Sequence, residues 1–292
     1  MTAAAETPEF GRVAVLGAGT MGAGIAQVCA SAGSYVRLFD IGQAMVDRGI
    51  AGVTQFLDRG IAKGKTTAEQ KQQVLERILP TLDLVAAVAD ADLVIEAAPE
   101  NVSIKQDLFG KAAAAAAPRT VLATNTSSLS LQQVFAEIEG KSRCCGMHFF
   151  NPPPLMALLE IVRLEQTSPE TLDRVHRYAK QLQKEPIIVK DSPGFASSRL
   201  GVVLGLEAIR MVAEGVAEPE DIDTAMRLGY GHPMGPLRLT DLVGLDVRMA
   251  IAEYLQKTLN SPAFEVPPLM RQMVAQGRLG KKAGHGFYRW DG

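Results

Sequence analysis

The chain has 292 residues, 47% of them apolar and 21% charged, the balance of a soluble globular protein long enough for two ordinary domains. A net charge of −2 excludes a global field that would recruit nucleic acid or an anionic membrane, so any anionic ligand has to be held locally. Cys29, Cys144 and Cys145 form neither a disulfide framework nor a zinc or redox spacing. The N-terminus has no basic segment followed by an apolar one, and the alanine run 112–117, bounded by Lys111 and Pro118, is too short to span a bilayer. These features lead us to expect a reduced, cytoplasmic protein without a metal.

In chain order, Val13–Leu16 reads as a buried strand, Thr20–Ala32 as a helix stopped by Gly33, and Tyr35–Phe39 as a second strand. A charged helical pattern runs from Gln43 to Ile78 and breaks at Lys63–Thr67, where Thr67 and Glu69 suit the start of another helix, giving a helical hairpin. Strand-like runs resume at Leu93–Ala97 and Val121–Thr124 around a helix over Val102–Ala117. Further strands are expected at Gly146–Phe150, Leu158–Val162 and Pro186–Val189. Ser168, Pro169 and Glu170 supply the cap, first-turn proline and early acid of a helix over Thr171–Gln183. After Gly194 strand signals stop, and Leu200, Val203, Leu204, Ala208, Ile209 and Val212 follow helical spacing. The pattern predicts an α/β domain over residues 1–190 and a smaller all-α domain over 191–292.

Gly17, Gly19 and Gly22 form G-x-G-x-x-G between a strand and a helix. The first glycine permits the tight turn, the second lets backbone approach a diphosphate, and the third lets helix and strand pack closely. The helix N-terminus offers unpaired N–H groups to the anion, and Thr20 and Met21 belong to the same cofactor-binding turn. Asp40 ends the second strand about twenty residues on, where a carboxylate accepts from ribose hydroxyls and repels a 2′-phosphate. The expected fold is therefore a Rossmann-type domain that prefers NAD to NADP.

A cofactor fold does not identify a reaction. His176 lies on a charged helix, and His232 and His285 sit in glycine-bearing loops with no acid partner visible in sequence. His148 is on a strand that enters a proline-rich loop, and Glu160 lies in the apolar strand ALLEIV, where an acid calls for a partner. A histidine oriented by a carboxylate is a competent general base; an edge-strand histidine with an exposed glutamate would look the same in sequence.

The segments GAGTMGAGIA, TNTSSL, MHFFNPPP with LLEI, DSPGF, GYGHPMGPLRLTDLVGLD and GKKAGHGFY occur in this order, and together they resemble the L-3-hydroxyacyl-CoA dehydrogenase family, which includes 3-hydroxybutyryl-CoA dehydrogenases. The resemblance covers nearly the whole chain after Phe10. It implies a Rossmann domain with a helical arm, a helical C-terminal domain that mediates dimerisation, and reversible oxidation of a 3-hydroxyacyl-CoA by NAD, with no nucleic-acid or membrane partner.

By the same resemblance, His148 matches the general base, Glu160 its partner, and Ser127 the serine that hydrogen-bonds the reacting oxygen. Asn151 matches a residue at the nicotinamide end of the cofactor, and Glu100 and Lys105 match cofactor contacts. Lys282 resembles a lysine that returns to the cofactor, with a solvated lysine as the equal alternative. Lys63 resembles a lysine on the CoA phosphates, although Phe56 stands where a serine often accompanies it. Ser198 replaces the asparagine of PGF-x-x-N-R that orients the substrate's carbonyl oxygen; it either keeps that contact or simply begins the helix. A dehydrogenase of free 3-hydroxy acids and a non-catalytic NAD-binding protein are the alternatives in function.

Overall fold

The computed structural model describes residues 7–290, which form two compact units dividing between Asp191 and Ser192. In the first unit, β1 (Arg12–Leu16) is buried at all but its first residue and leads through the glycine turn into α1 (Thr20–Ser31). The chain continues through β2 (Tyr35–Phe39), α2 (Gln43–Ala62) and α3 (Ala68–Glu76). Thr67 caps α3 in a capping box with Gln70, which explains why the hairpin turns where it does.

The helical reading up to Ile78 is corrected here. Ile78–Thr81 forms β3, an edge strand paired with β2, and a short helix α4 (Leu84–Val88) follows. Pro80 hides this strand in sequence, because proline suits only positions where no ladder donor is needed, as on an edge.

Then come β4 (Leu93–Glu96), α5 (Val102–Ala115), β5 (Val121–Thr124), a single turn α6 (Leu131–Val134) and β6 (Cys144–Phe149). β7 (Leu158–Arg163), α7 (Pro169–Gln181) and β8 (Glu185–Lys190) complete the unit. The eight strands lie in the order β3-β2-β1-β4-β5-β6-β7-β8. β1 to β6 are parallel, β7 runs antiparallel to β6, and β8 is parallel to β7. Strand order reverses between β1 and β4, and open α/β sheets bind ligands beyond the strand ends at such a switch point. β4 and β5 are buried at every residue, as sheets covered on both faces require.

The second unit is helical: α8 (Ser197–Ala213), α9 (Pro219–Tyr230), α10 (Pro236–Val243), α11 (Leu245–Leu259) and α12 (Pro268–Ala275). Its core gathers Val202, Leu206, Ile209, Leu237, Leu255 and Met270. Asp241, fully buried on α10, accepts from the backbone N–H groups of Phe287 and Tyr288 and from Trp290 Nε1, each at 2.9 Å. The closing GHGFY segment is thus a docking strap, and Gly286 is required because a Cβ there would collide with the Asp241 carboxylate. No helix among the described residues is long and apolar enough to cross a membrane.

Candidate functional site

The glycine turn is shaped by three different constraints. Gly17 has φ +107°, a conformation side chains rarely adopt, and a Cβ there would lie 2.7 Å from the Ala97 carbonyl oxygen. At Gly22 a Cβ would collide with the carbonyl oxygen of Gly17, so this glycine lets α1 pack onto β1. Gly19 is different: a Cβ there would meet nothing within 4 Å, so protein packing does not demand a glycine. The space beside it lies at the N-terminus of α1, which carries no side-chain cap and no acid in its first turn. Thr20 and Met21 open that turn. A diphosphate fits this cradle: the backbone is bare and the helix end is electropositive.

Asp40 directly follows β2, beside the same turn. Its Oδ2 accepts from Ala18 N–H and its Oδ1 from Ile41 N–H, both at 2.8 Å. The carboxylate therefore fixes the glycine turn as well as facing it, and each oxygen keeps a second lone pair for a ribose hydroxyl.

Beyond β4 and β5 lies a buried ionic cluster. Glu96 is fully buried, and Lys105 on α5 is 1% exposed. Lys105 Nζ donates to Glu96 Oε1 at 2.7 Å and to the Ala98 carbonyl at 3.3 Å, and it lies 3.5 Å from Glu100 Oε2. Glu96 also accepts from Ala98 N–H and the Thr124 hydroxyl, each at 2.6 Å. The three ammonium donors are thus matched by three protein acceptors. Lys105 thus holds two glutamates under the TNTSS loop.

Glu100 in turn organises the TNTSS loop. Its Oε1 accepts from the Thr126 hydroxyl at 2.6 Å and from Ser127 through both the amide (3.0 Å) and the hydroxyl (3.2 Å). Burial raises the Glu100 carboxyl pKa, but the Thr126 hydroxyl, the Lys105 ammonium and the Ser127 amide outweigh that and hold it below the usual value.

His148 and Glu160 face each other directly across the antiparallel β6–β7 pair, so their side chains share one face of the sheet. His148 Nδ1 and Glu160 Oε2 are 2.7 Å apart, with the histidine side chain 8% exposed and the glutamate fully buried. Phe150 packs on the imidazole with ring centroids 4.5 Å apart.

Two residues that sequence reasoning missed set the surroundings of this pair. Asn125 Oδ1 accepts from Phe149 N–H at 2.9 Å, tying the TNTSS loop to the end of β6. Lys184, 6% exposed, donates to the Pro153 and Met156 carbonyls at 2.6 and 2.8 Å and so holds the proline loop after His148. Burial lowers its ammonium pKa. Asn151 is exposed in that loop. Pro153 packs so closely on α1 that a Cβ at Gly24 would lie 2.8 Å from its Cδ.

The remaining candidates are on other elements. Lys63 is exposed at the C-terminus of α2, at the tip of the hairpin. In the second unit, Lys282 pairs with Asp246 at 2.6 Å, and Ser198 lies in the first turn of α8. Burial raises the Asp246 carboxyl pKa, but the Lys282 ammonium and the Val247 amide more than offset it and pull it down. The three cysteines are buried, and burial pushes the thiols of Cys29 and Cys144 up to about 12, far from nucleophile chemistry.

Comparison with known proteins adds two family matches. Residues 12–192 match the 3-hydroxyacyl-CoA dehydrogenase NAD binding domain, and residues 194–290 match the C-terminal domain of the same family. A probable 3-hydroxybutyryl-CoA dehydrogenase of Deinococcus radiodurans is 45% identical over 94% of this chain and 99% of its own length. The 3-hydroxyadipyl-CoA dehydrogenase of Escherichia coli K12 is 43% identical over 95% of this chain, which spans only 58% of that longer protein. The crystal structure of (S)-3-hydroxybutyryl-CoA dehydrogenase from Ralstonia eutropha superposes with a TM-score of 0.92 at 43% identity, covering 97% of this chain and all of that one.

Proposed function

The chain belongs to the 3-hydroxyacyl-CoA dehydrogenase family, and from that premise we propose that it interconverts an L-3-hydroxyacyl-CoA and its 3-oxoacyl-CoA with NAD. Short acyl chains such as 3-hydroxybutyryl are the preferred class. The observation that carries the reading is the buried His148–Glu160 pair across β6 and β7, in the same sheet as the dinucleotide turn.

NAD, when bound at the glycine turn, supplies the acceptor for the hydride that leaves C3 of the substrate. The protein's part is proton handling and orientation. Glu160 engages Nδ1 of His148, so Nε2 is the nitrogen that takes the proton of the 3-hydroxyl. The adjacent carboxylate stabilises the imidazolium as it forms. Ser127 positions the reacting oxygen: its amide is anchored on Glu100, and its hydroxyl, which donates to Glu100 at rest, turns to donate to that oxygen when substrate binds. In reduction, His148 returns the proton. Asn151 faces the nicotinamide end, Lys63 and Lys282 contact anionic groups of CoA and cofactor, and Ser198 hydrogen-bonds the substrate's carbonyl oxygen.

The protein acts as a cytoplasmic homodimer joined through the second unit. Supporting this assembly, Leu200, Val216, Leu228 and Tyr230 are all more than half exposed, and Leu200, Val203, Leu204 and Met226 line an apolar recess of about 500 Å³. Sedimentation at micromolar concentration tests it, and a monomer would refute it.

The activity is tested by following NADH oxidation with acetoacetyl-CoA, longer 3-oxoacyl-CoAs and free 3-oxo acids. Turnover confined to the CoA thioesters supports the proposal. Turnover confined to the free acids would assign the chain to the free hydroxy acids instead.

A further inference from the structure

Lys184 is a lysine turned inward. The residue is 6% exposed, and its Nζ donates to the Pro153 and Met156 carbonyls at 2.6 and 2.8 Å. Among the described residues no carboxylate forms an ion pair with it, so its partners are neutral carbonyls. Burying an ammonium in this way is unfavourable, and a neutral side chain of the same volume would avoid the penalty.

The backbone bends to deliver it. Gln183, just past the end of α7, has φ +57°, a conformation that glycine adopts far more readily than glutamine. The Gln183 amide donates to the Lys180 carbonyl and the Lys184 amide to the Ala179 carbonyl, each at 2.9 Å. This closure stops α7 and turns the chain into β8.

The segment that Lys184 grips gives the reason. The Pro152 carbonyl accepts from the Leu155 and Met156 amides at 3.0 and 3.2 Å, making a single turn. Such a turn leaves its later carbonyls without donors of its own, and the ammonium supplies them. Just before the turn, Phe150 packs on the His148 imidazole with ring centroids 4.5 Å apart. Within it, Pro153 bears so closely on α1, the helix of the glycine turn, that a Cβ at Gly24 would lie 2.8 Å from its Cδ. Just after it, the Ala157 carbonyl accepts from the Glu185 amide at 2.7 Å. The loop over residues 150–156 therefore touches the base on one side and the helix of the glycine turn on the other.

We propose that Lys184 is a positioning residue for the proton and hydride transfers: through the Pro153 and Met156 carbonyls it sets the loop that spaces His148 from the helix of the glycine turn. This rests on the dehydrogenase reading of the site. Lys184 acts through Phe150 and Pro153 and not on a reacting atom. The spacing matters because a misplacement of about 1 Å costs roughly a hundredfold in rate.

Lys184→Met keeps most of the side-chain volume and removes the donors. Its kcat for acetoacetyl-CoA reduction is expected to fall by about 10- to 100-fold, with the NADH dissociation constant moving by less than about threefold. Lys184→Arg keeps donors on a longer arm and should lie between that variant and the wild type. Gly24→Ala presses on the same loop from α1 with Lys184 intact, and should also lower kcat. Tyr178→Phe controls for stability alone. On the same helix α7, it loses a buried hydrogen bond to the Ser34 hydroxyl and should keep the wild-type kcat. The His148 imidazole resonance, assigned by its loss in His148→Gln, reads the loop without turnover. The Phe150 ring shifts it in the wild type; Lys184→Met should move it and Tyr178→Phe should not.

Wild-type kcat in Lys184→Met, or an unmoved His148 resonance, would overturn the proposal. So would an equal loss of kcat in Tyr178→Phe, which would make the effect one of stability. Should Lys184→Met fail to fold, Lys184→Arg carries both readouts, and wild-type values in it would overturn the proposal as well. A wild type that turns over no 3-oxoacyl-CoA would instead refute the dehydrogenase reading, and the resonance would still decide whether Lys184 holds the loop against His148.

Discussion

Lys105→Met separates a structural cation from a cofactor contact. The substitution keeps most of the side-chain volume and removes the ammonium that Glu96 and Glu100 share. Glu96 is fully buried and would retain only the Ala98 amide and the Thr124 hydroxyl. Breaking a buried ion pair from one side costs about 3–5 kcal/mol, because the partner charge is left uncompensated. For a unit of this size each kcal/mol shifts the melting temperature by about 2–4 °C, so a fall of roughly 6–20 °C is expected. Differential scanning calorimetry measures it, with the double variant Lys105→Met/Glu96→Gln recovering much of the loss. NAD affinity per folded molecule should fall by much less than for a group that touches the cofactor. A melting temperature within about 2 °C of the wild type, together with a large loss of NAD affinity, would refute this account and make Lys105 a direct contact.

Gly19→Ala should leave the melting temperature unchanged, since its Cβ meets no protein atom, yet weaken NAD binding at least about tenfold; Gly22→Ala should unfold the turn because its Cβ collides with Gly17, and circular dichroism with NADH fluorescence reads both. Asp40→Ala should narrow the preference for NAD over NADP and also loosen the turn that it pins through Ala18, which a comparison of both cofactors by fluorescence titration resolves. Glu100 titrates below its ordinary value of 4.5 in the folded chain, so its contribution is complete above that pH and is lost as pH falls through the lower folded value. The stability gap between wild type and Glu100→Gln should therefore be constant near neutrality and close below pH 4.5 in denaturant titrations; a gap that widened on acidification would reverse the assignment.

The dinucleotide turn was legible because its signal is local. Three glycines and one acid, between a strand and a helix, carry their own geometry in their spacing. Glu160 was legible because an acid inside an apolar strand demands a partner, but its register opposite His148 depends on β7 reversing direction, which no local pattern encodes. The same cue is present at Glu96, an acid closing LVIE, and it calls for a buried cation. Its partner lies nine residues away on a different element, so no local pattern pairs Lys105 with it. Asn125 and Lys184 act on a backbone amide and backbone carbonyls brought close by the fold, and a polar residue that meets backbone leaves no pattern in the chain. β3 was hidden by Pro80, whose edge position matters only once the sheet exists.

The central claim is that His148, oriented by Glu160, moves the proton of the substrate's 3-hydroxyl. The direct measurement is the steady-state rate of acetoacetyl-CoA reduction by His148→Gln relative to the wild type, with NADH affinity measured on the same preparations. The account predicts a fall in kcat of about two to four orders of magnitude with NADH binding nearly unchanged. A variant that turns over at close to the wild-type rate would contradict it.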